Sequence, residues 1–154
     1  MNAFATPSPR RFAHLASGFG ESVDKLQPLF ALEIRLYVAK VFLASGLIKL
    51  MSWSSTLALF ANEFHVPLLS PTAAAYLGTA AELALPVLLA LGIGTRFAAI
   101  ALFIFNIVAV ISYPGLSDAG LKDHILWGTM LLVILFYGPG RIAIDEWLRR
   151  RYAA

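Results

Sequence analysis

The 154-residue sequence contains no cysteine, which excludes a disulfide scaffold, thioether-linked haem, thiolate metal sites and thiol redox chemistry within the chain. Charge is also sparse. Only 14% of residues are Asp, Glu, Lys or Arg, against roughly 25% in an average soluble domain, and so apolar a chain is not intrinsically disordered. There is no phosphate loop and no nucleophile elbow, and the turn Gly92-Ile93-Gly94 lacks the residues that would continue a dinucleotide fingerprint. No repeat of the length found in solenoids stands out. What the chain has instead is apolar residues, at 59% of the total. A water-facing domain of this size could not bury them all.

Those residues fall into four stretches bounded by turn residues: about Pro28 to Met51, Thr72 to Leu91, Phe97 to Tyr113 and Ile125 to Tyr137. The first three match the roughly 17–25 apolar residues that a membrane helix needs. The fourth is short, so it must recruit Lys122, Asp123 and His124 at its start or Gly138 to Arg141 at its end, or else tilt little and thin the bilayer. Short links favour antiparallel neighbours, and the expectation is an all-α polytopic membrane protein, an antiparallel four-transmembrane-helix bundle. The bundle occupies residues 28–141, between a juxtamembrane segment at 1–27 and a basic tail at 142–154.

Basic residues near helix ends are retained in the cytoplasm. Of the 12 Lys and Arg residues, eight (Arg10, Arg11, Lys25, Arg96, Arg141, Arg149, Arg150 and Arg151) fall on one side of this topology. Both termini are therefore expected in the cytoplasm, in a multi-pass protein of the bacterial inner membrane. Topology and contact with anionic lipid account for the basic character, without nucleic acid. The run Ser8-Pro9-Arg10-Arg11-Phe12 looks superficially like an export signal, but polar residues follow it. Phe12, Leu15, Ala16 and Phe19 would instead make the apolar face of a surface-lying helix, with Gly18 and Gly20 limiting its length.

Chemistry must reside in the polar groups that the bilayer makes expensive. The candidates are Arg35, Lys40 and Lys49 on the first helix, Glu82 on the second, Asn106 on the third and His124 on the fourth. Glu33 also lies on the first helix. Arg35, Phe42, Gly46 and Lys49 share one stripe, expected to face inward unless Arg35 and Lys49 snorkel to the two headgroup layers. Glu82 is too deep to snorkel. It is either a protonated carboxyl bonded across helices, with Asn106 as partner, or a proton-relay or quinone-contacting acid. Ala74, Gly78 and Glu82 form a small-residue face suited to close approach by another helix. His124 is a quinone hydrogen-bond partner, a metal ligand or an interfacial helix-starting residue. Asp123, Glu63 and His65 would complete a metal set, but no tight ligand spacing supports one and no metal site is assigned. Lys40 lies 12 residues, or about 18 Å, beyond Pro28, a depth like that of Glu82. A Lys40–Glu82 contact is the expectation, against a Lys40 that snorkels or meets a partner subunit. The polar groups together imply a cleft between the first, second and fourth helices, opening toward the outer face.

The run from Arg35 to Lys49, with Arg35, Phe42, Gly46 and Lys49 as matching positions, resembles the first helix of the DoxX family. Glu82-Leu83, Pro86, Gly92 and Thr95-Arg96 are similar to the family's second helix and turn, and His124, Trp127, Gly138-Pro139-Gly140 and Asp145 to its last. The resemblance covers about residues 32 to 146; Lys40 departs from the pattern. It implies a four-helix inner-membrane subunit that supports a quinone-linked redox complex, the family name deriving from a small subunit of a thiosulfate:quinone oxidoreductase. The implied partners are the lipid bilayer and an oxidoreductase. A quinone is the implied cofactor, none being built into the chain itself. A small-solute or proton transporter and a non-enzymatic anchor for a soluble partner are the alternatives.

Overall fold

A computed structural model describes residues 9–152, with side-chain detail from Val23 onward. It contains α1 (Pro9–Met51), α2 (Trp53–Asn62), α3 (Pro71–Leu91), α4 (Thr95–Ser112), α5 (Asp118–Tyr137) and α6 (Ile144–Tyr152). No strand occurs among the described residues. The helices α3, α4 and α5 are long and apolar enough to cross a membrane. The chain is a helical membrane protein.

Two differences from the expected architecture have physical causes. The apolar stretch of α1 carries Arg35, Lys40 and Lys49, so α1 is not among the helices long and apolar enough to cross a membrane. The first connection, expected to be short and irregular, folds into α2, and α6 follows the last long helix. The result is four long helices with two short ones added, rather than a plain four-helix bundle.

Pro28 does not open α1. It sits within a 43-residue helix, about 64 Å long and so about twice the thickness of a bilayer core. A proline removes one helical hydrogen bond, here to the carbonyl of Asp24, and the helix continues through it. The side chains of Phe12, Leu15, Ala16 and Phe19, expected on a surface-lying face, are outside the described residues. The fourth stretch is extended at its start as expected, since α5 begins at Asp118 and includes Lys122, Asp123 and His124.

The helix ends follow from local chemistry. Ser70 caps α3, its hydroxyl accepting from the Ala73 N–H at 3.3 Å, and Pro71 occupies the first turn, where its missing N–H is harmless. Ser117 caps α5 in the same way through the Gly120 N–H at 3.1 Å. Gly92 ends α3 in the left-handed region, at φ 73°. A Cβ there would also lie 2.5 Å from a guanidinium nitrogen of Arg35, so glycine is required twice over.

The long helices enclose one apolar core. Val38 and Phe42 of α1, Leu89 of α3, Leu102 of α4 and Leu131 of α5 are buried together in it. Neighbouring helices pack as α1 on α3, α3 on α4 and α4 on α5, and α1 on α5 closes the ring. Gly46 brings α1 close against α3. Its Cβ, were there one, would stand 2.9 Å from Glu82 Cβ and 3.1 Å from the Glu82 carbonyl carbon. The close-approach face expected around Gly78 serves differently, because Gly78 meets the rings of Phe60 and Phe105 instead of a helix backbone.

Candidate functional site

A half-open cavity of about 720 Å³ enters the bundle, with walls contributed by α1 to α5. Most of its lining is apolar, including Phe42, Leu85, Ile104 and Phe105, and a few polar side chains interrupt that surface. The volume is in the range of roughly 300–1,000 Å³ found for small-molecule and cofactor sites. One end is covered by α2 and the segment after it. Phe60 stacks on Phe64 at 4.9 Å and Phe64 on Tyr113 at 5.0 Å, and the His65 N–H donates to the Ser112 carbonyl at 2.7 Å.

Lys49 and Glu82 form the strongest polar feature of the wall. Lys49 Nζ donates to both carboxylate oxygens, at 2.8 and 2.7 Å, and to Ser45 Oγ at 2.8 Å. The Ser45 hydroxyl donates in turn to Glu82 Oε1 at 3.1 Å. The pair is largely buried, with side-chain exposures of 15% and 7%. Gly46 makes it possible, because the absence of a side chain there brings α1 within reach of the Glu82 carboxylate.

His124 lines the same cavity and is positioned by Asn106. The Asn106 amide nitrogen donates to the His124 carbonyl at 2.9 Å, which turns its amide oxygen toward the imidazole Nδ1, 2.7 Å away. A carbonyl only accepts, so the amide orientation is fixed and Nδ1 must carry a proton. In the neutral ring this leaves Nε2 as an acceptor with no partner supplied by Asn106. Trp127 lies one turn further along α5, its ring edge-on to His124 at 4.9 Å and to Phe42 at 6.0 Å.

The sequence-derived candidates therefore divide. Lys49, Glu82 and His124 line the cavity, and Asn106 supports His124 from behind. Arg35 is 1% exposed at the opposite end of the bundle. There its guanidinium donates to the carbonyls of Leu89 and Ala90, at 3.4 and 3.3 Å, and to that of Ile142. It satisfies the last turn of α3 and ties the α5–α6 link to it. Asp145 completes that knot, accepting from the N–H groups of Gly94 and Thr95 at 2.8 and 2.7 Å and from the Thr95 hydroxyl at 2.7 Å. Burial pushes the Asp145 carboxyl up. The hydrogen bonds from Thr95 and Gly94 and the charge of Arg35 together outweigh that and hold it below the usual carboxylate range.

Lys40 is exposed on the outside of α1, beside Glu33 and Tyr37, and does not meet Glu82. The expected contact fails on both angle and depth. Lys49, which shares the Gly46 stripe, takes the carboxylate. Pro28 is not the helix start from which depth should be counted. Arg35 is level with the end of α3, and Lys40 stands only about 7.5 Å further in. Glu82 likewise does not bond Asn106, which is committed to His124. Among the described residues no group of three His, Asp or Glu side chains gathers in the manner of a metal site.

Sequence reading did not single out Ser45 or Ser112, nor the place of Trp127 in the cavity wall. Ser45 was detectable, since it precedes Lys49 by one helical turn. Ser112 carries no sequence signal, because its place at the cavity depends on how α2 folds back.

The arrangement is that of a polytopic helical membrane protein with a half-open apolar cavity and a small set of polar groups in its wall. The sequence profile of the DoxX family matches residues 30–114, more than half of the chain, and the protein belongs to that family. The matched segment holds Arg35, Lys49, Glu82 and Asn106, and ends before α5. Comparisons with curated proteins and with solved structures gave no match.

Proposed function

We propose that this protein is a four-span inner-membrane subunit, with both termini cytoplasmic, that supports a quinone-linked redox complex together with an oxidoreductase partner. The observation that carries the reading is the 720 Å³ chamber, whose apolar wall is broken by the Lys49–Glu82 pair and by His124. A quinone has a flat apolar ring with two carbonyl oxygens and an apolar tail, and such a chamber suits its solubility and its few polar demands. In this topology the Arg35 end, with Arg96, Arg141 and the arginines of α6, faces the cytoplasm, and the Lys49 end faces outward. Lys40 then reaches the inner headgroups along the outside of α1, as a long flexible cation can.

The test is organic extraction of the protein purified from native membranes, with mass spectrometry of the extract and of co-purifying proteins. A bound quinone and a redox-enzyme partner are the expected result; extracts with membrane phospholipid alone would overturn it. Reporter fusions at Pro71, Thr95 and Ala119 should read outside, inside and outside, and an inside reading at Ala119 would reject the topology. The buried ion pair favours one other reading, proton or small-solute transport. Proton flux in liposomes that is abolished by Glu82→Gln, without bound quinone, would select it.

A further inference from the structure

His124 is the polar residue of the cavity wall that the fold prepares from behind. Asn106 of α4 is 4% exposed, and both ends of its amide are spent on His124 of α5, the nitrogen on the main-chain carbonyl at 2.9 Å and the oxygen on Nδ1 at 2.7 Å. Gly128, one turn further along α5, makes room for this contact, since a Cβ there would stand 3.3 Å from the Asn106 amide nitrogen. Trp127 packs edge-on against the imidazole at 4.9 Å. An imidazole whose Nδ1 must donate holds its other nitrogen as an acceptor in the neutral ring. Nε2 has no hydrogen-bond partner among the described residues and, unlike the buried indole nitrogen of Trp127, it remains accessible. Asn106 covers the Nδ1 edge without lining the cavity itself, so the edge that His124 presents to the cavity carries Nε2.

We propose that His124 Nε2 is the specificity determinant of the cavity, an acceptor that selects a hydroxyl group on an apolar ring, and that Asn106 is the positioning residue that keeps it an acceptor. The wall around it is mostly apolar, with Phe42, Leu85 and Phe105 among its residues, so the body of the ligand must be apolar too. The lone pair of Nε2 attracts an O–H and repels a carbonyl oxygen. A site built to hydrogen-bond a hydroxyl rejects the analogue that lacks it. Combined with the functional reading above, on which the identity of the ring rests, this makes the cavity a site for the quinol, the dihydroxy form, in preference to the quinone. The assignment of the acceptor rests on the Asn106 geometry alone.

Two measurements on the full-length protein in detergent test the two parts. Imidazole nitrogen NMR of the histidine-labelled protein, with His124→Phe to identify the signal, reads the tautomer. A protonated Nδ1 and an unprotonated Nε2 are expected in the free protein, and the Nε2 signal should move on addition of a decyl-substituted 2,3-dimethoxy-5-methyl-1,4-benzoquinol. A proton on Nε2 in the free protein would overturn the acceptor assignment, whatever the ligand. Thermal midpoints followed anaerobically against ligand concentration then give dissociation constants for that quinol and for the corresponding quinone. The wild type is expected to bind the quinol about tenfold more tightly, the worth of one hydrogen bond. His124→Phe keeps an aromatic ring and removes the acceptor, so it should bring the two affinities together. Asn106→Leu should do the same, because it frees the imidazole to change tautomer; a merely structural Asn106 would leave their ratio unchanged. A quinol preference that survives in His124→Phe would overturn the assignment, and equal affinities in the wild type would overturn the selection while leaving the quinone reading intact. Binding of neither form would overturn the functional reading and the quinol with it, and the tautomer alone would then decide the acceptor.

Discussion

The two ends of the bundle use polar residues in opposite ways. At the Arg35 end the polar groups meet backbone: the terminal guanidinium nitrogens face carbonyls and the Asp145 carboxylate faces the first N–H groups of α4, while Arg35 Nε has no partner among the described residues. Such a knot completes the helix termini. At the Lys49 end a largely buried ion pair is held side chain to side chain in the wall of a half-open apolar cavity. Burial alone does not mark a functional group. What differs between the two ends is that only the Lys49–Glu82 pair borders open space.

The largest effect should come from breaking the ion pair. Lys49→Met or Glu82→Gln alone leaves a buried partner stranded and should cost about 3–5 kcal/mol, read as a lowered thermal midpoint in detergent. The double variant should recover much of that loss, since a buried pair replaced by neutral groups is often close to neutral. Strictly additive losses would mean that the two charges do not interact in solution. Next comes Gly46→Ala. Its methyl group would fall 2.9 Å from Glu82 Cβ and force α1 away from α3, at about 1–3 kcal/mol of overpacking. Because the same contact brings Lys49 to Glu82, the Gly46→Ala and Lys49→Met effects should fall short of additivity.

The Arg35 knot gives a smaller effect with a defined pH dependence. The folded-state pKa of Asp145 is depressed, so its contribution is fully present above the ordinary aspartate value and is lost as pH falls through the folded one. Stability of the wild type should therefore decline below about pH 4, where an unperturbed aspartate begins to protonate. Asp145→Asn should flatten that part of the profile. Asp145→Ala should cost about 1 kcal/mol at neutral pH, the usual value of a lost helix cap. An unaltered acid limb in Asp145→Asn would show that another carboxylate governs it.

Much of this molecule can be read from its residues, and the parts that cannot share a cause. Length and apolar content identify α3, α4 and α5 because a membrane helix is a local property. Stripe analysis places Arg35, Phe42, Gly46 and Lys49 on one face, and that face is the buried one. Pairing is not local. Whether Glu82 takes Lys40, Lys49 or Asn106 depends on the axial offset between helices, which a single glycine contact sets. The chamber is less legible still, since its volume is what five packed helices leave unfilled.

Lys40 provides the smallest expected effect and the sharpest contrast with Lys49. Both are lysines on α1, nine positions apart, and nine residues rotate a helix by about 180° from where it began. One therefore points into the bundle and the other out of it. Lys49 has three hydrogen bonds and is largely buried. Lys40 is exposed, and among the described residues it has no ion-pair partner. Removing its charge strands nothing, so Lys40→Met should change the thermal midpoint by the equivalent of no more than about 0.5 kcal/mol, the usual range for surface substitutions. The double variant Lys40→Met with Glu82→Gln should be no more stable than Glu82→Gln alone. Recovery in that double variant would mean that Lys40, not Lys49, compensates the Glu82 charge, and the contrast between the inward and outward faces of α1 would fail at its most direct test.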